Sequence, residues 1–261
     1  GSRPDDPTPN TSLRFARPSV EPTAGTGTVP WHQSSTPTLV LKDLGCVQNS
    51  RWLFKNMDLE VPPGSFVAVL GASGAGKTSF LSTLCGLLKP AEGEVSFHDN
   101  ETRLFSPIML RGRIGIIPQG FHLTENTTVL NNVLCGRLNR YSFFQTLFGF
   151  PSSSKDEAYR IIHDLGISEY TYRWVAELSG GEKQRVVIAR ALFQKPDIYL
   201  ADEPVSQLDV YLTGRVLGIL KLETTQHGKT VFCVMHNPDL VDRFADYALS
   251  LNRENPDKWQ L

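Results

Sequence analysis

Apolar and polar positions along the 261-residue chain change their rhythm several times. From Thr38 onward, Leu39–Leu41 and Trp52–Val61 are short apolar runs set among polar residues and turns, as half-buried strands are. Ser65–Leu70 is a continuous apolar run, the pattern of a strand buried on both faces. A glycine-rich stretch follows, and Ser79–Leu88 then has helical spacing, which predicts a strand–loop–helix unit. Glu94–His98 and Arg113–Ile117 read as further strands. From about 121 to 178 the pattern is helical, over Val129–Leu138, Ser142–Phe148 and Lys155–Leu165. Strand patterns return at Asp197–Asp202 and Thr230–Met235, each after a helical stretch. Such alternation predicts a mainly parallel α/β core, with the helical block inserted into it. Residues 1–37 are rich in Pro, Ser and Thr without apolar periodicity, so they are expected to be a disordered tail. That tail is either idle or carries a short docking motif at Leu13–Phe15 or Trp31. Gly1-Ser2 has the look of a tag scar. Residues 38–261 are expected to form one domain.

Composition narrows the classes. Forty per cent of residues are hydrophobic, enough for a sizeable core. Lys and Arg number 26 against 27 Asp and Glu, so a net charge of −1 gives no electrostatic case for a nucleic-acid partner. Cys46, Cys85, Cys135 and Cys233 are scattered and form no CxxC pair, which argues against a zinc site or a disulfide framework and for buried, reduced thiols. No apolar run reaches about 18 residues, so the chain is not expected to span a bilayer, and the N-terminus lacks a signal-peptide core.

Three stretches carry chemistry. Gly71-Ala72-Ser73-Gly74-Ala75-Gly76-Lys77-Thr78 fits GxxxxGK[ST] at every fixed position. Glycines let successive N–H groups point inward as an anion cradle, and the helix after it, including Ser79, adds its positive end. Lys77 is expected on the β- and γ-phosphates, and the Thr78 hydroxyl on Mg²⁺. Ile198-Tyr199-Leu200-Ala201 leads into Asp202-Glu203, a strand ending in two carboxylates. Asp202 is the candidate Mg²⁺ ligand and Glu203 the candidate general base. Leu178-Ser179-Gly180-Gly181-Glu182 precedes an apolar helix and fits a capping box, and its bare glycine N–H groups also suit a phosphate presented from outside. Both roles are assigned to it.

With Lys183-Gln184-Arg185 and Val187–Leu192 behind it, LSGGE resembles the signature of ATP-binding cassette proteins. The family's other motifs occur in the family's order. Gln119 matches the Q-loop, Ser206-Gln207-Leu208-Asp209 resembles the D-loop with Gln207 where Ala is commoner, and His236 matches the switch histidine. The resemblance covers about residues 38–252. It implies a P-loop NTPase fold: a mainly parallel core sheet, an antiparallel β-subdomain and an inserted α-helical lobe. It also implies ATP and Mg²⁺, and two copies sandwiching two ATP molecules head to tail. Ser179, Gly180, Gly181 and Glu182 would then serve the other copy's ATP, beside the D-loop residues Ser206 and Asp209. Gln119 would touch Mg²⁺ or the attacking water, and His236 the γ-phosphate. One departure stands out. The family stacks an aromatic ring on adenine from a place that falls here near Gln48, between Val47 and Asn49. Trp52 is the nearest candidate ring, and its alternative is a place in the core.

Leu134–Leu138, Tyr141–Phe150, Asp156-Glu157-Ala158 and Leu200–Ser206 resemble the ATPase subunits of phosphonate importers. The aromatic insert reads either as a docking patch or as the lobe's own core. The resemblance implies a subunit at the cytoplasmic face of the inner membrane. Permease subunits would dock on the helical lobe, a solute-binding protein would take part indirectly, and phosphonate or a related oxyanion would be imported. An exporter or extractor ATPase, and a soluble non-transport cassette protein, are the alternatives. No coiled-coil insertion or second cassette favours the last.

Overall fold

The computed structural model describes residues 38–98, 103–104, 112–140 and 150–261. The expectations for residues 1–37 and for a helix over Ser142–Phe148 lie outside the described residues.

Strands β1 (Thr38–Gln48), β2 (Arg51–Val61), β4 (Glu92–His98) and β5 (Arg103–Leu104) form an antiparallel sheet in the order β2-β1-β4-β5. Asn49 and Ser50 turn β1 into β2 with φ of 50° and 60°, the left-handed pair that a two-residue hairpin requires. Strands β3 (Phe66–Leu70), β6 (Ile114–Ile117), β7 (Ile198–Ala201), β8 (Thr230–Val234) and β9 (Tyr247–Ser250) form a second sheet in the order β6-β7-β8-β3-β9. Every pairing in it is parallel, as the alternation of strands and helices predicts. The short strands β5 and β9 are additions that the apolar pattern does not single out.

The parallel sheet is covered on both faces. Phe66 and Ala68 of β3 face one apolar cluster, while Val67 and Val69 face the other. The second cluster holds the antiparallel sheet and α1 (Lys77–Leu84), including Phe54, Phe80 and Phe232. The first cluster joins the sheet to the inserted lobe through α4 (Gly180–Gln194), whose Val186, Val187, Ile188 and Ala189 are all buried. Helices α2 (Val129–Leu134) and α3 (Ser152–Asp164) pack on α4 with Val133, Leu134, Ala158 and Ile162. The expected helix over Val129–Leu138 stops at Leu134 and continues as a 3₁₀ turn with Arg137 at φ −117°. Gly136 lies in that turn directly against the Arg190 carbonyl, which leaves no room for a side chain. Helices α5 (Val210–His227) and α6 (Pro238–Phe244) complete the layers.

An ion triad fastens the lobe. Arg137 donates two hydrogen bonds to Glu157, at 2.6 and 2.7 Å, and Lys195 approaches the same carboxylate at 2.6 Å. Burial alone would raise the Glu157 pKa, but the two cations outweigh it and hold the carboxyl at about 2. The guanidinium also lies 4.1 Å from the centre of the Phe193 ring. All four cysteines are free. Cys46 and Cys233 are buried, Cys85 is half-buried, and Cys135 is exposed, so the expectation of four buried thiols is corrected at Cys135. Among the described residues no helix is long and apolar enough to cross a membrane.

Candidate active site

The loops that leave β3, β6, β7 and β8 at their C-terminal ends meet at one rim, where open α/β sheets place their ligands. After Leu70 the chain enters the glycine loop with φ of 146° at Gly71, 75° at Gly74 and 95° at Gly76. Only glycine takes such angles without strain, and a Cβ at Gly76 would in addition stand 2.9 Å from Leu53 Cβ. Helix α1 starts at Lys77 with no side-chain cap on its first N–H groups. Lys77 is 7 % exposed, and its ammonium donates to the Gly71 carbonyl at 2.8 Å and the Ala72 carbonyl at 3.1 Å. Arg253 reaches the outside of the loop, donating to the Ser73 carbonyl at 3.3 Å, and Arg51 donates in turn to the Arg253 carbonyl.

The end of β7 supplies the two carboxylates. Asp202 is 8 % exposed and accepts a 2.7 Å hydrogen bond from the Thr78 hydroxyl. Burial pushes its carboxyl pKa up and the neighbouring Glu203 adds to this, against the Thr78 hydrogen bond and the charges of Lys77 and His236. Glu203 has φ 49°, a left-handed conformation unusual for a non-glycine residue and common at functional turns. Its carboxylate accepts from Gln119 Nε2 at 3.3 Å and pairs with His236 Nε2 at 2.7 Å. Residues from the ends of β6, β7 and β8 therefore converge on one carboxylate, although they lie 84 and 33 positions apart in the chain.

The LSGGE stretch forms a true capping box. Ser179 Oγ accepts from the Glu182 N–H at 3.4 Å, and Glu182 accepts from the Ser179 N–H at 2.8 Å. The Tyr170 phenol also donates to Glu182, and this carboxylate with that of Glu169 pushes the phenol pKa up to about 12. Gln184, fully buried, donates to the Pro204 carbonyl at 3.0 Å and ties α4 to the turn after Glu203. Ser206 N–H reaches the Glu203 carbonyl at 3.3 Å, and Asp209 caps α5 by accepting from the Leu212 N–H at 2.8 Å. The nearest neighbours of Gly180 and Gly181 are Gln207, Leu208 and Phe121, not the phosphate loop.

The phosphate loop, Asp202, Glu203, Gln119 and His236 are thus brought together within one chain, and LSGGE forms a separate helix start. The Trp52 ring lies against Gly45, with the Lys55 ammonium 5.1 Å from the ring centre. From that hairpin it is Gln48, accepting from the Ser79 hydroxyl at 3.2 Å, and Leu53, against Gly76, that reach the loop region. Tyr170 and Arg253 are contacts that sequence reading misses, since neither belongs to a motif with its own spacing, and the partner of Gln184, which follows the LSGGE stretch, is equally hidden.

A family model described as "ABC transporter" matches residues 54–206. The chain belongs to that family. The cassette is 40 % identical over 205 residues to the phosphonates import ATP-binding protein PhnC of Trichormus variabilis, covering 78 % of this chain and 83 % of that protein. It is 38 % identical over 212 residues to the hypophosphite import ATP-binding protein HtxD of Stutzerimonas stutzeri, covering 80 % and 62 % of the two. Among solved structures, a dimeric post-hydrolysis ATP-binding cassette bound to ADP and Pi superposes with a TM-score of 0.73 at 28 % identity, covering 85 % of this chain and 97 % of that one. The cassette binds ATP and hydrolyses it, as the ATPase subunit of an ABC transporter.

Proposed function

We propose that the cassette drives import of a phosphorus oxyanion, a phosphonate or a near relative of one. The observation that carries this reading is agreement between relatives: similarity of 40 % and 38 %, over about four-fifths of the chain, to proteins named for phosphonate and for hypophosphite import. The solute itself never meets this chain. Permease subunits dock on the helical lobe, about residues 121–178, and hold the cassette at the cytoplasmic face of the inner membrane. A solute-binding protein takes part only through them, and no nucleic acid is involved.

Two copies close head to tail over two ATP molecules. In each site Gly71, Ala72, Ser73, Gly74, Ala75, Gly76, Lys77, Thr78 and Ser79 cradle the phosphates of one chain's ATP. Lys77 is suited to this because its hydrogen bonds go to neutral carbonyls, which a polyphosphate replaces with charge-assisted contacts. Ser179, Gly180 and Gly181 of the second copy meet the γ-phosphate, with Glu182 fixing the helix start, and Ser206 and Asp209 lie along the seam. The set fits Mg²⁺: the Thr78 hydroxyl and the Asp202 carboxylate are hard oxygen donors 2.7 Å apart, at a site with too few carboxylates for a cage built of protein alone. Gln119 would complete its surroundings. Bound there with the phosphates, Mg²⁺ supplies charge neutralisation at the β- and γ-oxygens. Glu203 takes the proton of the attacking water, and His236, already paired with it at 2.7 Å, holds the carboxylate and reaches toward the γ-phosphate. Hydrolysis reopens the pair, and the lobe carries that motion to the permease.

Uptake of labelled methylphosphonate and hypophosphite in cells of the source organism tests the reading. Deleting the chain should abolish uptake of at least one of them while sparing sulfate. The natural chain should restore it and Glu203→Gln should not. Undiminished uptake of both without the chain would remove the phosphorus oxyanion from the proposal.

A further inference from the structure

After β9 the chain runs from the parallel sheet toward the β1–β2 hairpin and passes the phosphate loop on the way. The Leu251 N–H donates to the Leu70 carbonyl at 2.9 Å, at the entry to the loop. The Asn252 side-chain oxygen accepts from the N–H groups of Glu254 and Asn255, at 2.9 and 3.1 Å, a local turn that fixes Arg253 within it. The Arg51 guanidinium, at the start of β2, donates to the Arg253 carbonyl. Further on, Trp259 Nε1 donates to the Asn56 carbonyl at 3.3 Å. The backbone around Arg253 is thus tied to both sheets. Its side chain turns to the loop, where the guanidinium donates to the Ser73 carbonyl at 3.3 Å and lies against Gly74.

Three successive loop carbonyls therefore accept from cations: Gly71 and Ala72 from Lys77, and Ser73 from Arg253. In a trans peptide the C=O and N–H point in opposite directions, so the bond to the Ser73 carbonyl also turns the Gly74 N–H away from Arg253. That N–H has no acceptor among the described residues, whereas the Ala75 N–H is taken up by the Ala72 carbonyl at 3.1 Å. Gly74 has φ 75° and no side chain, so the residue itself does little to resist rotation of this peptide. We propose that Arg253 is a positioning residue for ATP binding, which holds the Ser73–Gly74 peptide with its N–H turned to the phosphates. This inference rests on the reading of the loop as the phosphate cradle. Arg253 acts through the peptide and not by touching the nucleotide. When Lys77 exchanges its carbonyls for a polyphosphate, Arg253 keeps its hold on the loop, so the cradle is formed before ATP arrives and stays formed around it.

The test measures the affinity of the full chain for ATP and for inorganic triphosphate, the latter by displacement of a fluorescent ATP analogue. Arg253→Met, which keeps much of the stem and loses the donors, should weaken both by about fivefold, the worth of one hydrogen bond. KM for ATP should rise by the same factor with kcat unchanged, as loss of uniform binding requires. Arg253→Lys keeps a donor of similar reach and should stay within about twofold of the parent. The loss in Arg253→Met should persist in about 1 M KCl, where attraction between exposed charges is screened. Trp259→Ala loosens the same segment away from the loop. It should lower the melting temperature and leave triphosphate affinity unchanged. Parental affinity in Arg253→Met, or an equal loss in Arg253→Lys or Trp259→Ala, overturns the positioning role. So does a loss that vanishes with salt, or one seen for ATP but not for triphosphate, which would put Arg253 on the base or sugar. Lys77→Ala, measured alongside, keeps the underlying reading separate: parental triphosphate affinity in that variant overturns the cradle itself.

Discussion

Two buried cations divide this molecule into two kinds of region. Lys77 in the phosphate loop is 7 % exposed and Arg137 in the helical lobe 8 %. Lys77 is held by neutral carbonyls five and six residues away. Arg137 is held by the Glu157 carboxylate twenty residues away, with Phe193 beneath it. The first cation is left with charge to give to a polyphosphate. The second is already neutralised and ties two helices together. A buried cation that is locally and neutrally held marks chemistry here, while one that is paired over long range marks architecture.

The contrast is sharpened by changes that should separate activity from stability. The largest effect is expected for Glu203→Gln, which keeps the side chain's shape and removes most of its basicity. Phosphate release should slow by roughly 10²- to 10⁴-fold with ATP binding and melting temperature retained. Full turnover would take the base role from this residue. Lys77→Ala should sharply weaken MgATP binding in a fluorescence titration while the fold stays intact, since only backbone carbonyls lose a partner. Wild-type affinity would break the comparison at its chemical end.

Arg137→Met belongs to the other side. It strands Glu157 with Lys195 alone and should lower unfolding free energy by about 3 kcal/mol in urea, with ATP affinity of the folded protein nearly unchanged. The Glu157 pKa adds a pH signature. The carboxyl is depressed from 4.5 to about 2 in the folded chain, so its contribution is complete above 4.5 and is lost as pH falls toward 2. Glu157→Gln should flatten the fall of melting temperature through that window. An unchanged slope would show that the triad contributes nothing. The smallest effect is expected for Trp52→Ala. With its ring against Gly45, loss of the side chain should change ATP affinity by less than about twofold. A stacked base would show a loss of about 1–3 kcal/mol instead.

Much of the candidate site is legible in the chain because each position has its own local requirement. Gly76 needs a positive φ, Ser179 and Glu182 cap the helix between them, and Asp202-Glu203 ends a strand whose apolar run is visible. The partners that complete these groups are less legible. Nothing near Glu182 announces Tyr170, and nothing near Pro204 announces Gln184. The expected helix over Val129–Leu138 ends at Leu134 and gives way to a 3₁₀ turn, in which Gly136 lies against the Arg190 carbonyl, more than fifty positions on.

By itself, then, the sequence singled out the groups proposed to bind phosphate, hold Mg²⁺ and take a proton. Those properties belong to residue types at fixed short spacings and to the strand–loop–helix pattern around them. The tertiary structure alone decided that Gln119 and His236 meet on Glu203, that the Trp52 ring lies against Gly45 while Gln48 and Leu53 approach the loop, and that the Gln207 side chain lies against Gly180. These are contacts between segments far apart in the chain. They follow from the order of the parallel strands and the packing of α4 against the sheet, which no local spacing encodes.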